Sequence, residues 1–325
     1  MQIEFPGLFD IQVNGFGGVD FNNPRTTPEA VLRAIVQLRA RGVTRFLPTL
    51  GTSSFERFAQ CAKTLIQTPQ PAMAGLHMEG PYISPEDGPR GAHPRQYVVA
   101  ASVADFTRRQ EAAAGRIKLV TLAPEVQGAM ELIEHLVGLG IRVAIGHTAA
   151  SPEQIRDAVK AGATLATHLG NGCANLLPRH PNVIWEQLAA DDLAASFIVD
   201  GHHLPPATVK AMIRAKTPER TLLVSDAVTV AGCAPGTYEL NGEPVVLSES
   251  GRVFQPGKPW LAGSSASLDR CVANAVKFTG LSLEVILPMA STQPARYLGL
   301  QVAGRVTADW DAADCTLSNV KVFDA

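Results

Sequence analysis

The 325-residue sequence has few of the features that mark secreted, membrane-spanning or nucleic-acid-binding proteins. Its charges nearly cancel, since 28 basic and 30 acidic side chains leave a net charge of -2, and no basic cluster offers the footprint of a nucleic acid or an anionic membrane. No run approaches the roughly 20 apolar residues that a membrane span needs. Residues 1–6 lack the basic and apolar regions of a signal peptide. We therefore expect a cytoplasmic protein whose partners include neither nucleic acid nor membrane.

Cysteine is also scarce, with five residues and no CxxC pair. An odd and widely scattered set does not match the disulfide framework of a small secreted domain, so we expect free thiols in a reducing compartment. Cys173 lies inside a polar motif described below. Even there, a packing role is the ordinary one for a buried cysteine.

Short β-branched apolar runs alternate with amphipathic stretches along the chain. The runs predict eight strands, at residues 7–12, 43–48, 73–77, 117–122, 142–146, 164–167, 196–199 and 221–225. The amphipathic stretches predict helices, clearest at residues 28–41, 54–66, 130–139, 152–161 and 206–214. Thr27 before Pro28 and Ser151 before Pro152 are N-cap and first-turn signals. This alternation is typical of a parallel sheet covered by helices.

Eight parallel strands fit either a closed (β/α)8 barrel or a doubly wound open sheet. Polar and ionisable residues follow the apolar runs directly, at Gln12, Asn14, Glu79, His147, His168, Asp200, His202, His203 and Asp226. A barrel gathers the carboxyl ends of all its strands around one mouth, whereas an open sheet spreads them along an edge. The barrel accounts for the pattern better, so we predict an α/β protein with a TIM-type (β/α)8 barrel.

Three of these residues form a candidate metal site. Glu79, His147 and His168 end the third, fifth and sixth predicted strands, so a barrel turns all three side chains into one cavity. Taken singly, each histidine is more often a hydrogen-bonding residue. Together, two imidazoles and one carboxylate with an open fourth position are a ligand set of catalytic zinc, although Fe2+, Mn2+ and Co2+ also suit it. One divalent ion there would lower the pKa of a bound water to about 7.

Asp226 ends the eighth predicted strand. As an N-cap or turn residue it would be ordinary, whereas beside a metal-bound water it would accept a proton and pass it to a leaving group. One of His202 and His203 could polarise a substrate carbonyl while the other faces solvent.

Two glycine-containing segments could approach a ligand or a neighbouring segment through their backbone. Residues 14–18 lack the spacing of a phosphate loop and are interpreted as a loop whose glycines allow close backbone approach. Residues 261–265 precede a helix predicted at about 266–277. Their backbone N–H groups either bind an anion or belong to a segment that only leads into the helix.

Six sequence blocks occur in an order typical of one family. They are PGLFDIQVNG at 6–15, HMEGP at 77–81, GHT at 146–148, THLGN at 167–171, DGHH at 200–203 and SDA at 225–227. Over roughly residues 5 to 300 the chain resembles the N-acetylglucosamine-6-phosphate deacetylase family of the amidohydrolase superfamily. The resemblance implies a metal-dependent hydrolase that releases acetate from N-acetylglucosamine-6-phosphate and leaves glucosamine-6-phosphate.

The resemblance also implies roles for individual residues. It makes Glu79, His147 and His168 the metal ligands. It makes Asp226 the catalytic acid–base and His203 a catalytic residue that helps to polarise the acetyl carbonyl. The substrate contacts it implies are Ala92, His93, Asn171, Gly172, Arg179, His203, Leu261, Ala262 and Gly263. In the family, the arginine at the position of Arg179 reaches the phosphate from a neighbouring subunit, so a homodimer is implied.

The chain departs from its relatives in ways that bear on the metal and on the domains. Amidohydrolases with two metals carry HxH after the first strand, whereas this chain has Gln12 and Asn14, so we expect one metal ion. The fourth strand does not end in a lysine suited to carbamylation. Family members also carry an accessory β-sandwich, which we expect to be largely absent here. We predict a barrel at 1–303 and a short tail at 304–325 as the remnant of that domain, with residues 320–323 forming a strand or edge.

Alternative functions remain open. The chain could hydrolyse another N-acetylated sugar, either galacto-configured or unphosphorylated. It could also be a non-catalytic sugar-phosphate-binding relative, but binding alone does not require a general base such as Asp226 beside three metal ligands.

Overall fold

A computed structural model of the protein describes residues 1–240, 243–258 and 261–324. Within these residues the strands are β1 (Gln2–Pro6), β2 (Leu8–Val13), β3 (Gly15–Phe16), β4 (Val19–Asp20), β5 (Val43–Leu50), β6 (Leu76–Glu79), β7 (Ile117–Leu122), β8 (Arg142–Ile145), β9 (Leu165–Ala166), β10 (Ala194–Ile198), β11 (Thr221–Val224), β12 (Gly236–Leu240), β13 (Glu243–Leu247), β14 (Arg252–Phe254), β15 (Leu261–Ser264), β16 (Arg305–Asp311) and β17 (Thr316–Phe323). The α-helices of the same residues are α1 (Pro28–Arg39), α2 (Phe55–Ile66), α3 (Val103–Ala112), α4 (Ala129–Gly138), α5 (Pro152–Ala161), α6 (Val183–Ala189), α7 (Pro206–Lys216), α8 (Leu268–Thr279), α9 (Leu283–Ile286) and α10 (Thr292–Tyr297). Short 3-10 helices lie at Arg95–Tyr97, Pro218–Arg220 and Leu287–Ala290.

Eight parallel strands form the nearly closed barrel that the sequence predicts. Their order around the sheet is β11-β10-β9-β8-β7-β6-β5-β2, and a parallel bridge between Val13 and Ala227 brings the first and last strands together. The Asp226 amide also donates to the Gln12 carbonyl at 3.0 Å across this closure. All eight predicted strands are present, with ends that move by a few residues. The carboxyl ends of the strands therefore converge on one mouth.

Apolar side chains fill the barrel and its helical cover. The interior cluster is formed by buried residues from the barrel strands, with Ala295 of α10 at one end: Phe9, Ile11, Leu47, Leu119, Ala144, Leu165, Ile198, Leu222, Val224 and Ala295. The opposite faces of the strands pack against the helices in a larger cluster. Strands buried on both faces require near-continuous apolar runs, which is why they stand out in the sequence.

The predicted helices begin at the residues that cap them. Thr27, Ser54 and Ser151 each accept a backbone N–H in the first turn of α1, α2 and α5, and Ser151 forms a capping box with Gln154. Sequence analysis missed α3 and α6, and also the short helices α9 and α10. Helix α3 buries only Phe106 and Arg109, so its apolar periodicity is weak, and α6 has only seven residues.

Two small antiparallel sheets accompany the barrel. One has the order β1-β16-β17, with the predicted C-terminal strand at its edge, and it draws a strand from each end of the chain. In the described residues any accessory β domain is therefore small, as expected, but its sheet also includes residues 2–6, which were assigned to the barrel. The other sheet, β12-β13-β14-β15, lies between the eighth barrel strand and α8 and was not predicted.

Two segment interpretations need correction. Residues 14–18 were expected to form a loop, but Gly15–Phe16 pairs with Val19–Asp20 in a short antiparallel ribbon. The close approach inferred for its glycines is correct, since a Cβ on Gly17 would lie 2.2 Å from the Gln37 amide. Residues 261–264 are strand β15 rather than helix entry, and α8 starts only at Leu268.

Two expectations about composition can be compared with the structure. All five cysteines are unpaired, as expected. Among the described helices, none is both long enough and apolar enough to cross a membrane.

Candidate active site

Glu79, His147 and His168 meet at the mouth of the barrel, as the sequence predicts. Glu79 is the last residue of β6, and the two histidines each lie two residues beyond the end of β8 and β9. Glu79 Oε1 lies 3.0 Å from His168 Nε2 and 3.3 Å from His147 Nε2, and the two Nε2 atoms are 3.1 Å apart. All three side chains are buried. Three potential ligand atoms therefore converge on one point.

The chemistry of this cluster fits a divalent cation. His147 Nδ1 lies 2.9 Å from the Pro89 carbonyl oxygen, which can only accept, so Nδ1 carries the proton and Nε2 presents a lone pair to the cluster. A carboxylate anion beside an imidazole lone pair is a cation ligand set.

The backbone is unusual at three residues of the mouth. His147, His168 and Asp226 have φ values of 50°, 31° and 48°, in the left-handed region that non-glycine residues seldom adopt. Each such conformation costs on the order of 1–3 kcal/mol, and such strain clusters at functional sites. Each of these residues follows directly on a barrel strand, where the turn directs its side chain into the mouth.

Asp226 completes the ring of polar side chains. It follows β11, and Asn14 donates to its Oδ1 at 2.7 Å. Burial and the nearby negative charge of Glu79 raise the pKa of Asp226 well above its usual range. A carboxyl group whose pKa is raised next to a cation site is suited to moving a proton.

Gln12 and Asn14 each hold one of the carboxylates at the mouth. Gln12 donates to Glu79 Oε1 at 2.8 Å, while Asn14 binds Asp226. The side-chain amides of Gln12 and Asn14 therefore hold these two carboxylates in place by donating a hydrogen bond to each.

His203 and His202 point to different partners. His203 Nδ1 lies 2.7 Å from Asp200 Oδ2, and its ring lines the cavity. His202 Nε2 instead lies 3.0 Å from the Ser250 carbonyl oxygen, which ties the loop to the hairpin between β13 and β14. Both residues line the cavity, but the ring of His202 is bound to the hairpin whereas the ring of His203 is bound to Asp200.

A cavity of about 880 Å³ opens above the cluster. His93 borders it, with Nε2 3.3 Å from His147 Nε2 and Nδ1 2.9 Å from Thr52 Oγ1, and burial lowers its pKa to about 3. The cavity is lined by every residue that the sequence proposed for substrate contact except Arg179: Ala92, His93, Asn171, Gly172, His203, Leu261, Ala262 and Gly263. Arg179 is exposed, in the segment between β9 and α6.

Several cavity residues were not anticipated. Asp20, Asn22, Arg57 and Arg252 all line it. Arg57 lies in the first turn of α2 and donates to the Asn22 carbonyl at 2.8 Å. Asp20, Asn22 and Arg57 lie on segments that follow barrel strands, whereas Arg252 lies on β14 and had no signal in the sequence.

Comparisons with known proteins agree with this geometry. Residues 3–314 match the sequence model of the amidohydrolase family. The chain is 33% identical over 300 residues to an N-acetylgalactosamine-6-phosphate deacetylase of Escherichia coli O157:H7, covering 91% of this chain and 78% of that protein. It is 35% identical over 310 residues to an N-acetylglucosamine-6-phosphate deacetylase of Homo sapiens, covering 91% and 74%. A crystal structure of the N-acetyl-D-glucosamine-6-phosphate deacetylase of Mycobacterium smegmatis superimposes with a TM-score of 0.90 at 30% identity, covering 98% of this chain and 86% of that one.

Proposed function

Because the chain belongs to the amidohydrolase family, we propose that it removes the acetyl group from N-acetylglucosamine 6-phosphate, releasing acetate and glucosamine 6-phosphate. Relatives with this printed activity match over nine-tenths of the chain at 32–35% identity. The observation that carries the proposal is the position of Asp226 beside the Glu79–His147–His168 cluster at the floor of one large cavity.

Glu79, His147 and His168 hold one divalent ion in this proposal, with zinc as the first choice for a set of two imidazoles and a carboxylate. The bound ion would supply a Lewis acid and make water a better nucleophile at neutral pH. Gln12 keeps Glu79 in place through its 2.8 Å hydrogen bond.

Asp226 moves the proton. Its carboxylate accepts the proton of the attacking water, and the resulting acid delivers that proton to the amino group as the C–N bond breaks. Asn14 holds Oδ1 at 2.7 Å, which fixes the carboxyl plane while the proton is transferred.

Two histidines and the cavity wall bind the substrate. His203 donates to the acetyl carbonyl oxygen, where negative charge develops, and a donor of this kind contributes about 3–4 kcal/mol to transition-state stabilisation. His93 binds sugar hydroxyls, with Asn171, Gly172 and residues 261–263 around the ring.

Two arginines, Arg57 and Arg252, already line the cavity, and Arg179 is a further candidate for binding the phosphate. Arg179 is exposed and does not line the cavity of its own chain, so in this proposal it enters the cavity of a second copy in a homodimer. A guanidinium binds phosphate through two parallel hydrogen bonds, which suits it to this role.

A galacto-configured substrate is the second candidate, because one similar relative is an N-acetylgalactosamine-6-phosphate deacetylase. The test compares acetate release from both N-acetylhexosamine 6-phosphates and from both unphosphorylated sugars, on zinc-loaded protein of measured metal content. We expect turnover of the gluco-configured phosphate with the largest kcat/KM. A larger kcat/KM for the galacto-configured phosphate would reassign the substrate, and one bound metal with no turnover of any of the four would refute the proposal.

A further inference from the structure

Arg252 brings an unneutralised positive charge to the rim of the cavity. It lies on β14, its side chain is exposed, and it lines the cavity together with His202 and His203. Its guanidinium group forms no ion pair or hydrogen bond with the residues that the structure describes. Instead its Cζ lies 5.5 Å from the centroid of the Phe254 ring. A ring at this distance orients a guanidinium group without cancelling its charge, so the charge is available to a ligand.

Arg57, the other arginine that lines the cavity, is engaged by its neighbours. Its Nε donates to the Asn22 carbonyl at 2.8 Å. Burial raises the pKa of Asp20, and the Asn22 N–H and the charge of Arg57 oppose that rise. A substrate anion at Arg57 would therefore compete with groups of the protein, whereas an anion at Arg252 would not.

Two contacts anchor the turn that carries Arg252. Ser265 Oγ donates to the Gly251 carbonyl at 2.6 Å. On the other side, His202 Nε2 lies 3.0 Å from the Ser250 carbonyl oxygen. Because Ser265 follows β15 and His202 follows β10, these contacts fix the backbone of Arg252 relative to the mouth of the barrel. A side chain on such a fixed backbone loses less freedom when it binds a ligand.

The sheet register gives the distance between Arg252 and the proton-transfer group. Ala227, next to Asp226, forms a parallel bridge with Ser264, and Ser264 pairs with Arg252 between β14 and β15. Neighbouring strands lie about 4.8 Å apart, so two steps across the sheet separate the Cα atoms of Ala227 and Arg252 by about 10 Å. In an N-acetylhexosamine 6-phosphate, the acetamido group on C2 and the phosphate-bearing arm on C5 lie on opposite sides of the ring. One sugar can therefore place its acetyl group beside Asp226 and its phosphate at Arg252.

We propose that Arg252 binds the 6-phosphate of the substrate within its own chain and thereby makes the site selective for phosphorylated amino sugars. This inference rests on the proposed deacetylation. A phosphate monoester carries a charge of about −1.5 to −2 at pH 7 and three acceptor oxygens, more than one guanidinium group can neutralise. Arg252 of the same chain and Arg179 of a second copy then bind different oxygens of one phosphate.

Arg252→Met tests the role of the charge, because methionine keeps an unbranched side chain beside Phe254. A hydrogen bond to a charged group is strong enough for about a 10- to 100-fold effect on binding. The phosphate is remote from the reacting carbonyl, so we expect KM for N-acetylglucosamine 6-phosphate to rise by that factor while kcat stays within about twofold. For the unphosphorylated sugar, kcat/KM should change by less than about twofold. Arg252→Lys keeps the charge without the planar fork, and its KM should be intermediate.

Arg142→Met is the matched control. Arg142 is also exposed and stacked, with its Cζ 5.4 Å from the centroid of the Tyr297 ring. It begins β8, at the end of the barrel opposite the mouth, so its loss should leave KM unchanged for both sugars. A rise in KM of less than about threefold in Arg252→Met would overturn the inference, because a charged hydrogen bond contributes more than that. An equal loss of kcat/KM with the unphosphorylated sugar would also overturn it, by showing a structural role.

Mixing two variants shows which chain supplies the arginine. If Arg252 acts within its own chain, each cavity of a dimer formed from Arg252→Met and Asp226→Asn has one defect. Activity at low substrate concentration should then not exceed the average of the separate variants. Recovery of activity on mixing would show that Arg252 serves the cavity of the second copy, and it would overturn the proposal.

Binding of glucosamine 6-phosphate gives a readout that needs no turnover. In calorimetric titrations of zinc-loaded protein, the Kd of Arg252→Met for this phosphate should be at least about tenfold higher than that of the native chain. Equal Kd values would overturn the inference. Native protein that binds glucosamine 6-phosphate through Arg252 but releases no acetate from N-acetylglucosamine 6-phosphate would refute the proposed deacetylation instead.

Discussion

Replacing Asp226 by asparagine tests the proposed chemistry most directly. Asparagine has almost the same shape, and its Oδ1 accepts the 2.7 Å hydrogen bond that Asn14 gives to Asp226. The NH2 group takes the place of Oδ2 at the mouth and cannot accept a proton. The cluster of Glu79, His147 and His168 is not altered, so the variant should bind as much metal as the native protein.

The size of the effect follows from the step that is lost. General acid–base catalysis by a positioned side chain contributes about 10²- to 10⁴-fold, and each factor of ten corresponds to about 1.4 kcal/mol of activation free energy. We therefore expect kcat to fall by about 10²- to 10⁴-fold, or about 3–5 kcal/mol, with KM nearly constant. The assay is acetate release from N-acetylglucosamine 6-phosphate on protein whose zinc content has been measured.

A matched control tests whether the loss of activity is specific to the carboxylate of Asp226. Asp191→Asn removes an exposed carboxylate that pairs with Arg220 on the outside of the barrel, and it should leave kcat unchanged. Retention of more than about one-tenth of native kcat in Asp226→Asn, at full metal content, would show that another group moves the proton. Loss of the metal would show instead that Asp226 is a ligand.

Three further predictions concern the metal, the phosphate and pH. Glu79→Gln replaces the anionic ligand with a neutral amide, and we expect zinc content after dialysis to fall well below one per chain; unchanged content would contradict the ligand assignment. Arg179→Ala should raise KM at least tenfold for the phosphorylated sugar only, and mixing it with inactive Asp226→Asn should restore activity if the arginine acts across a dimer. Burial raises the pKa of Asp10 from 3.8 to about 7, although the amides of Gln12 and Ser225 donate to it. Because the folded state holds this proton between pH 4 and 7 while the unfolded state releases it, the free energy of unfolding falls as pH rises through that window, by up to about 4 kcal/mol for this group. Denaturant titrations of Asp10→Asn should show a flatter profile over the same range, and an identical pH profile for both proteins would be inconsistent with a buried, protonated Asp10.

The barrel and the cluster were predictable for the same physical reason. Strands covered on both faces must be apolar throughout, so the runs at 142–146 and 164–167 are recognisable in the sequence, and the histidine after each run, His147 or His168, indicates the mouth of the barrel. The candidate metal ligands could be identified because each ends a predicted strand: Glu79, His147 and His168.

The elements that sequence analysis missed have weaker local signals. Sheet β12–β15 is partly exposed, and its strands become recognisable only once they pair. Asp200 and His203 are in contact at 2.7 Å within one turn, a geometry that the DGHH block does not specify. Arg252 reaches the cavity from that sheet, so the sequence alone could not place it.

The pairing of Gln12 with Glu79 and of Asn14 with Asp226 links the number of metal ions to the chemistry. Imidazoles at those two positions would provide ligands for a second cation next to Asp226, and a bound cation lowers the pKa of a neighbouring carboxyl group. Amides donate hydrogen bonds instead, and they bring no positive charge. Burial and the charge of Glu79 raise the pKa of Asp226, while His168 and the 2.7 Å hydrogen bond from Asn14 oppose that rise. A site with one cation therefore leaves Asp226 able to bind and release the proton that amide hydrolysis requires. Asn14→His is the corresponding substitution, and in zinc-loaded protein it should move the acidic limb of the kcat profile to lower pH.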